Sequence, residues 1–468
     1  MEHFDLIVGG TGFSSSFFLK KFLQKRPKSK VLVLEEGARK DHAWMVENRK
    51  HSDVSEPSLF AKSGLGTKDW LFTLGFGGGS NCWWGQTPRF LPEDFKIRTK
   101  FGVGYDWPIE YRDLLPFYEE AEAIMEVSGP SLGPFGERRS YPQPPHRFSD
   151  FDEAMAGLVG DSYWVHAPSA RSSSSTATRN KCCATGNCGI CPIDAKFTVL
   201  NAFGDIYSDP RVTLVVGAKI SRIDISAGVA RKIFWLSDGR YHSASADLFK
   251  IGLNAIFNVV VLHNSGINSP LLGRRLHEQV SRKVEIDLSK IDNFNGGTHI
   301  TGLGYMYASG DQRRNRASCI VEHYNSPPIL RTDNGKWRRR AILKIVAENV
   351  PDDRNRVEVR GRPVLHYHGH SDYAIRALDQ VQEELLLSIG DLGIDEVRIG
   401  DIEQSEGHIQ GTTVMGSSED VSVLDDRLLC HGVRNLVVGG SGCFPSGPPA
   451  NPSLTIAALS LRSAALLA

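Results

Sequence analysis

Phe4-Asp5-Leu6-Ile7-Val8-Gly9-Gly10-Thr11-Gly12-Phe13-Ser14-Ser15 is the stretch on which the fold turns. Residues 4–8 read as a short buried strand, and Gly9 to Ser15 as a glycine-rich turn opening a helical stretch that carries Phe13, Phe17, Phe18 and Phe22. A second strand, Val31-Leu32-Val33-Leu34, ends in Glu35. The order strand, turn, helix, strand is that of a βαβ unit. Within the turn, Gly10-Thr11-Gly12 with Ser15 gives G-x-G-x-x-S. The two glycines allow a tight turn and let backbone approach a pyrophosphate, and the helix N-terminus adds free N–H groups and partial positive charge. Glu35 is placed to accept from a ribose diol, so the unit predicts a dinucleotide site.

Outward from that unit, 468 residues with 41% hydrophobic and 23% charged residues predict two interleaved soluble domains. A formal net charge of zero disfavours a nucleic-acid binder. No apolar run is long enough for a transmembrane helix, and no charged segment followed by an apolar one resembles a signal peptide. The expected location is cytoplasmic, with export alongside a partner subunit left open. Residues 131–150, rich in Pro and Gly, read as a loop or lid. Residues 211–250 read as a small sheet, 298–350 as strand-rich, 371–390 as a long helix, and the tail from Asn451-Pro452 as a buried apolar helix. His366, His368 and His370 alternate as on one solvated strand face, and the arginine runs 313–316 and 338–340 read as surface.

Gly77-Gly78-Gly79-Ser80-Asn81-Cys82-Trp83-Trp84-Gly85, Arg89 and Pro92-Glu93-Asp94-Phe95 resemble the second flavin-contacting segment of the glucose–methanol–choline (GMC) oxidoreductases. Asp106-Trp107-Pro108-Ile109, His408-Ile409-Gln410-Gly411-Thr412, Phe444-Pro445 and Asn451-Pro452-Ser453-Leu454-Thr455 follow in the family's order. Gly440, where most members carry Asp, and the Asn451-Pro452 pair look closest to the pyranose-oxidase-like branch and the bacterial sugar dehydrogenases. The resemblance implies an α/β fold. A Rossmann-like FAD-binding domain is expected from 1–96, 180–275 and 400–468. A substrate domain with a mainly antiparallel sheet and helices is expected from 97–179 and 276–399.

The resemblance also implies that His408 and Asn451 face the reactive side of FAD, with Gly10, Thr11, Gly12, Ser15, Glu35, Gly78, Gly79, Ser80, Asn81, Cys82, Trp83, Gly440, Asn451 and Pro452 around the cofactor. A neutral imidazole suits removal of a hydroxyl proton while a hydride leaves carbon, which gives His408 the role of base. Asn451 reads as an N-cap of the final helix whose NH2 is free to donate to a substrate oxygen. Cys82 reads as a small buried thiol, with a flavin thioether as the alternative.

Cys182-Cys183-x4-Cys188-x2-Cys191-Pro192 is the remaining motif. Short cysteine spacings in a large chain point to metal or redox chemistry. By resemblance to the bacterial sugar dehydrogenases, Cys182, Cys188 and Cys191 are expected to hold an iron–sulfur cluster, with Cys183 spare. The gap between the last two is one residue shorter here, and an empty site, a disulfide or zinc stay open. A cluster would pass electrons to an acceptor protein. The expected activity is oxidation of a CH–OH group of a sugar, glycoside or polyol, against the same chemistry on a hydrophobic alcohol, or a non-catalytic flavin electron-relay subunit.

Overall fold

The structure is a computed structural model that describes residues 2–54, 56–65, 68–293, 296–325 and 336–468. Two sheets dominate. The first runs in the order Val212–Val216, Val31–Glu35, His3–Gly9, Arg240–Ile251, Val229–Ser237, Lys219–Ser226, with Leu436–Val438 added beside Arg240–Ile251. The four pairings among His3–Gly9, Val31–Glu35, Val212–Val216, Arg240–Ile251 and Leu436–Val438 are all parallel. Phe4, Leu6, Ile7 and Val8, and Val31 to Leu34, are buried, as continuous apolar runs must be when helices cover both faces of a parallel sheet.

The strand Arg240–Ile251 is long because it serves two neighbours. Its first half closes an antiparallel hairpin with Val229–Ser237, and its second half lies parallel to His3–Gly9, from Ser245 to Ile251. Residues 211–250, read as a small sheet, do form strands, and these extend the dinucleotide sheet. Helix Phe13–Lys25 starts at the glycine turn, and the final helix Ser453–Leu467 lies against it, where Ser460 Oγ donates to Ser14 Oγ at 3.0 Å. Tyr118, on the helix Tyr111–Ile124, joins Thr455 from the other side through their hydroxyls at 2.9 Å.

The second sheet has six strands in the order Ile394–Glu403, Val280–Leu288, Arg340–Ala347, Cys319–Tyr324, Ile300–Gly304, Trp164–His166, all antiparallel. Alternation along its strands separates two faces. Val284, Ile286, Val321, Leu343 and Ile345 bury against Leu378, Val381 and Leu385 of the helix Asp372–Ser388. Ser281, Glu322, Tyr324 and Lys344 take the opposite face. The α/β class with a Rossmann-like half and an antiparallel substrate-type half is as expected.

Two local readings are corrected. The final helix is capped at Pro452 with no side-chain bond, so Asn451 is not its N-cap. Only His366 lies within the strand Arg362–Tyr367; His370 turns inward, where its ring nitrogens meet Tyr367 Oη at 3.0 Å and the Gln404 carbonyl at 3.1 Å. Among the described residues no helix is long and apolar enough to cross a membrane.

Candidate active site

The two glycine segments meet edge to edge. Gly10 has φ +81°, and a Cβ there would come within 2.8 Å of the Gly252 carbonyl oxygen, so the turn admits no side chain. Gly78 packs with its Cβ position 3.1 Å from Gly12 Cα. Thr11 fastens the arrangement: its hydroxyl accepts from the Gly77 N–H at 2.9 Å and donates to Glu35 Oε2 at 2.7 Å. Glu35 also accepts from the N–H groups of Thr11 and Gly37, at 3.0 and 2.9 Å. Burial raises its pKa, and those donors hold it down only in part. Glu35 thus binds the turn itself, a protein role that the sequence does not reveal.

Ser15 Oγ donates to the Gly9 carbonyl at 2.9 Å, and Ser80 Oγ to that of Gly77 at 2.7 Å. Asn81 donates to the Phe76 carbonyl at 2.9 Å, while its Oδ1 is buried without a partner among the described residues. Trp83 is held by its indole N–H on the Phe197 carbonyl, at 2.8 Å, and by an edge contact with Phe13. Cys82 is half-buried and bonds the Gly79 carbonyl at 3.6 Å. A Cβ on Gly12, Gly79 or Gly440 would meet nothing within 4 Å, so all three glycines border open space.

His408 lies in a loop just before an isolated bridge to residues 275–279, where the backbones of His277 and Gln410 exchange hydrogen bonds at 3.0 and 2.9 Å. The Glu278 carboxylate accepts from the N–H groups of Glu406 and His408, both at 2.7 Å, and from Ser405 Oγ at 3.1 Å. Lys68, fully buried, pairs with Glu278 at 2.5 Å and donates to the Gln404 carbonyl at 2.6 Å. The imidazole of His408 meets Gln279 Oε1 through Nδ1 at 3.2 Å. Burial carries its pKa down to about 4; Glu278 opposes this and Lys344 adds to it. The His408 imidazole is therefore neutral at physiological pH. Asn451 is half-buried, and its amide bonds no described residue. The carbonyl just before it, that of Ala450, accepts from Gln279 Nε2 at 3.3 Å, so one side chain joins the His408 and Asn451 segments. Sequence reading missed Lys68, Glu278 and Gln279, because no motif marks a residue whose partner is distant in the chain.

The polar face of the six-stranded sheet continues the site. Lys344 pairs with Glu406 at 2.7 Å and with Glu403 at 3.0 Å, and Ser281 donates to Glu406. Tyr324 donates to Glu322 at 3.1 Å, and burial pushes the Glu322 carboxyl up to about 7. Trp84 packs edge-on against His299, and His299 lies against Tyr324.

Cys182, Cys183, Cys188 and Cys191 all line one cavity together with Arg171, Lys196 and His299. The sulfurs of Cys182, Cys188 and Cys191 each have a polar partner: Thr298 Oγ1 beside Cys182 at 3.3 Å, Arg171 Nη1 donating to Cys188 at 3.8 Å, and the Ala195 N–H donating to Cys191 at 3.3 Å. Cys183 is exposed. Lys196 Nζ donates to the carbonyls of Asn81, Trp83, Cys188 and Gly189 at 2.6 to 3.0 Å, pinning the cysteine loop to the second glycine segment. Among the described residues no three His, Cys, Asp or Glu side chains are grouped so as to hold a metal ion.

A family model for GMC oxidoreductases matches residues 389–460, the stretch containing His408 and Asn451. The fructose dehydrogenase large subunit of Gluconobacter japonicus is 25% identical over 98% of this chain and 97% of that protein. The resemblance to GMC oxidoreductases is thus borne out over the C-terminal segment 389–460. Among other relatives, paromamine 6'-oxidase of Streptomyces fradiae is 25% identical over 99% of this chain and 91% of that one. The fold is shared with an FAD-dependent oxidoreductase from Chaetomium thermophilum, at TM-score 0.72 and 14% identity over 99% of both chains. The chain is an FAD-dependent oxidoreductase.

Proposed function

We propose that the protein oxidises a CH–OH carbon of a sugar, glycoside or polyol, with His408 as the base and Asn451 as a donor to the substrate oxygen. The observation that carries this reading is a buried imidazole kept neutral to about pH 4 on the same side-chain tie that holds the Asn451 turn. The open space over Gly12, Gly79 and Gly440 fits a dinucleotide laid across the two glycine segments. Gly10, Thr11, Ser15, Glu35, Gly78, Ser80, Asn81, Cys82, Trp83 and Pro452 complete the cradle in this reading. FAD, when bound, supplies the hydride acceptor. The chain orients the alcohol, takes its hydroxyl proton at His408 and steadies its oxygen at the Asn451 amide.

A hydroxyl-rich substrate suits the polar wall of Glu322, Tyr324, Lys344 and Glu406. The names of the relatives, a fructose dehydrogenase and a paromamine oxidase, agree with that class. The test is anaerobic bleaching of the bound flavin by a panel of sugars, glycosides, polyols and hydrophobic alcohols. Bleaching by hydrophobic alcohols alone would overturn the substrate class, and bleaching by none would overturn the activity.

A second reading concerns the cysteine loop, which we propose as the seat of an iron–sulfur cluster on Cys182, Cys188 and Cys191. Cys182, Cys188 and Cys191 share one cavity with Cys183, each of the three with a polar partner, and Arg171 and Lys196 favour thiolate charge at Cys188 against the burial that raises its pKa. Each thiolate of a polynuclear cluster binds a different iron, so the sulfurs stand farther apart than around one ion. Such a site would serve an electron-accepting protein or second subunit, in line with the relative's name as a large subunit. Iron and acid-labile sulfide assays on anaerobically purified protein decide it: flavin-replete protein without either would overturn the reading.

A further inference from the structure

Gln279 is a buried amide with every hydrogen-bonding position used. Its Nε2 donates to the carbonyls of Pro448 and Ala450, at 2.8 and 3.3 Å. Backbone carbonyls only accept, so the nitrogen of the amide must face them, and the opposite orientation would set oxygen against oxygen. The amide oxygen is thereby committed to the other side, where it meets His408 Nδ1 at 3.2 Å and accepts from Gln410 Nε2 at 3.3 Å. An amide oxygen cannot donate, so the proton of that bond lies on His408 Nδ1. A neutral imidazole carries one N–H, and with it on Nδ1 the lone pair is on Nε2.

We infer that Gln279 is a positioning residue that fixes His408 in the Nδ1–H tautomer and presents a bare Nε2 as the proton acceptor. This tautomer is the minor one of imidazole side chains in water, so the protein selects it. The same amide holds the carbonyls just ahead of Asn451 and so sets the spacing of the two proposed catalytic groups. The inference rests on the activity proposed above. It adds the atom that takes the proton and the residue that decides which atom it is.

The test is made on the full-length flavin-bound protein. ¹⁵N spectra of histidine-labelled protein, with His408 assigned by its loss in His408→Ala, are expected to show a protonated Nδ1 and an unprotonated Nε2 near pH 7. In Gln279→Met, which removes the acceptor at similar size, His408 is expected to shift toward the Nε2–H form. Its flavin bleaching should slow about tenfold or more at unchanged FAD content. An Nε2–H tautomer in the unmodified protein overturns the inference outright, whatever the variant does. A Gln279→Met protein that keeps both tautomer and rate overturns it as well. Failure of every alcohol to bleach the unmodified protein would instead strike the activity, leaving the tautomer measurement valid in its own right.

Discussion

Adding a methyl group at Gly12 puts it where no protein atom lies within 4 Å, and the backbone there, at φ −71°, accepts any residue. Gly12→Ala should therefore fold with stability within about 0.5 kcal/mol of the parent. Its FAD affinity should fall about tenfold or more, because the methyl occupies the space left for a pyrophosphate. Thermal unfolding of the apoprotein and flavin titration separate the two effects. His408→Ala makes the complementary change: FAD should stay bound while the rate of bleaching by substrate drops about 10²–10⁴-fold, the range for loss of a general base. Near-normal bleaching in that variant would remove His408 from its role. The glycine turn and the His408 segment drew notice in the sequence because a local motif surrounds each. Gln279 was not, since its meaning lies in Pro448, Ala450 and His408, all more than a hundred residues away in the chain. Asn451 was misread as a cap because Asn before Pro fits that position locally, whereas the helix is capped at Pro452.

At the scale of elements, the loop 404–408 is held by the buried pair Lys68–Glu278 rather than by regular structure. Removing one partner strands a charge in the interior. Glu278→Gln should lower stability by about 3–5 kcal/mol and loosen the His408 backbone. Replacing both residues, Lys68→Met with Glu278→Leu, should recover most of that stability without recovering activity, because the two N–H groups of the loop still lack their acceptor. Denaturation and bleaching rates measured on the single and double variants check this. A double variant with full activity would assign the loop's geometry to other contacts. The elements themselves were readable where period and length were strong: the opening strand, helix Asp372–Ser388 and helix Ser453–Leu467. Their partnership was harder to read. Residues 211–250 alternate as any half-exposed strands do, and nothing local shows that Arg240–Ile251 continues into the parallel core.

Across the whole molecule, burial holds five histidines neutral: His146, His277, His370 and His408 down to about 4, and His299 to about 3. Unfolded, each would protonate near 6.5. Between these values the unfolded chain binds more protons, so stability falls as pH drops through the window from 6.5 to about 4. Four carboxyls raised by burial, Asp94 and Glu322 to about 6 and 7 and Glu35 and Glu122 in the same direction, act in the opposite sense, but they are outnumbered by the histidines, to which His51 and His166, also lowered by burial, add. The melting temperature should accordingly decline on acidification from pH 7 to pH 5; a rise over that interval would show that other groups govern acid stability.

The place of the strand Leu436–Val438 and the helix Ser453–Leu467 has a consequence for biosynthesis. The parallel core begins with His3–Gly9, yet the strand beside Arg240–Ile251 and the helix on Phe13–Lys25 come from residues 436–467. The ribosome delivers the turn that opens the nucleotide site first and the pieces that complete it more than four hundred residues later. For most of its translation the chain carries an unfinished apolar half-sheet, a natural client for chaperones, and flavin capture is a late event in its making.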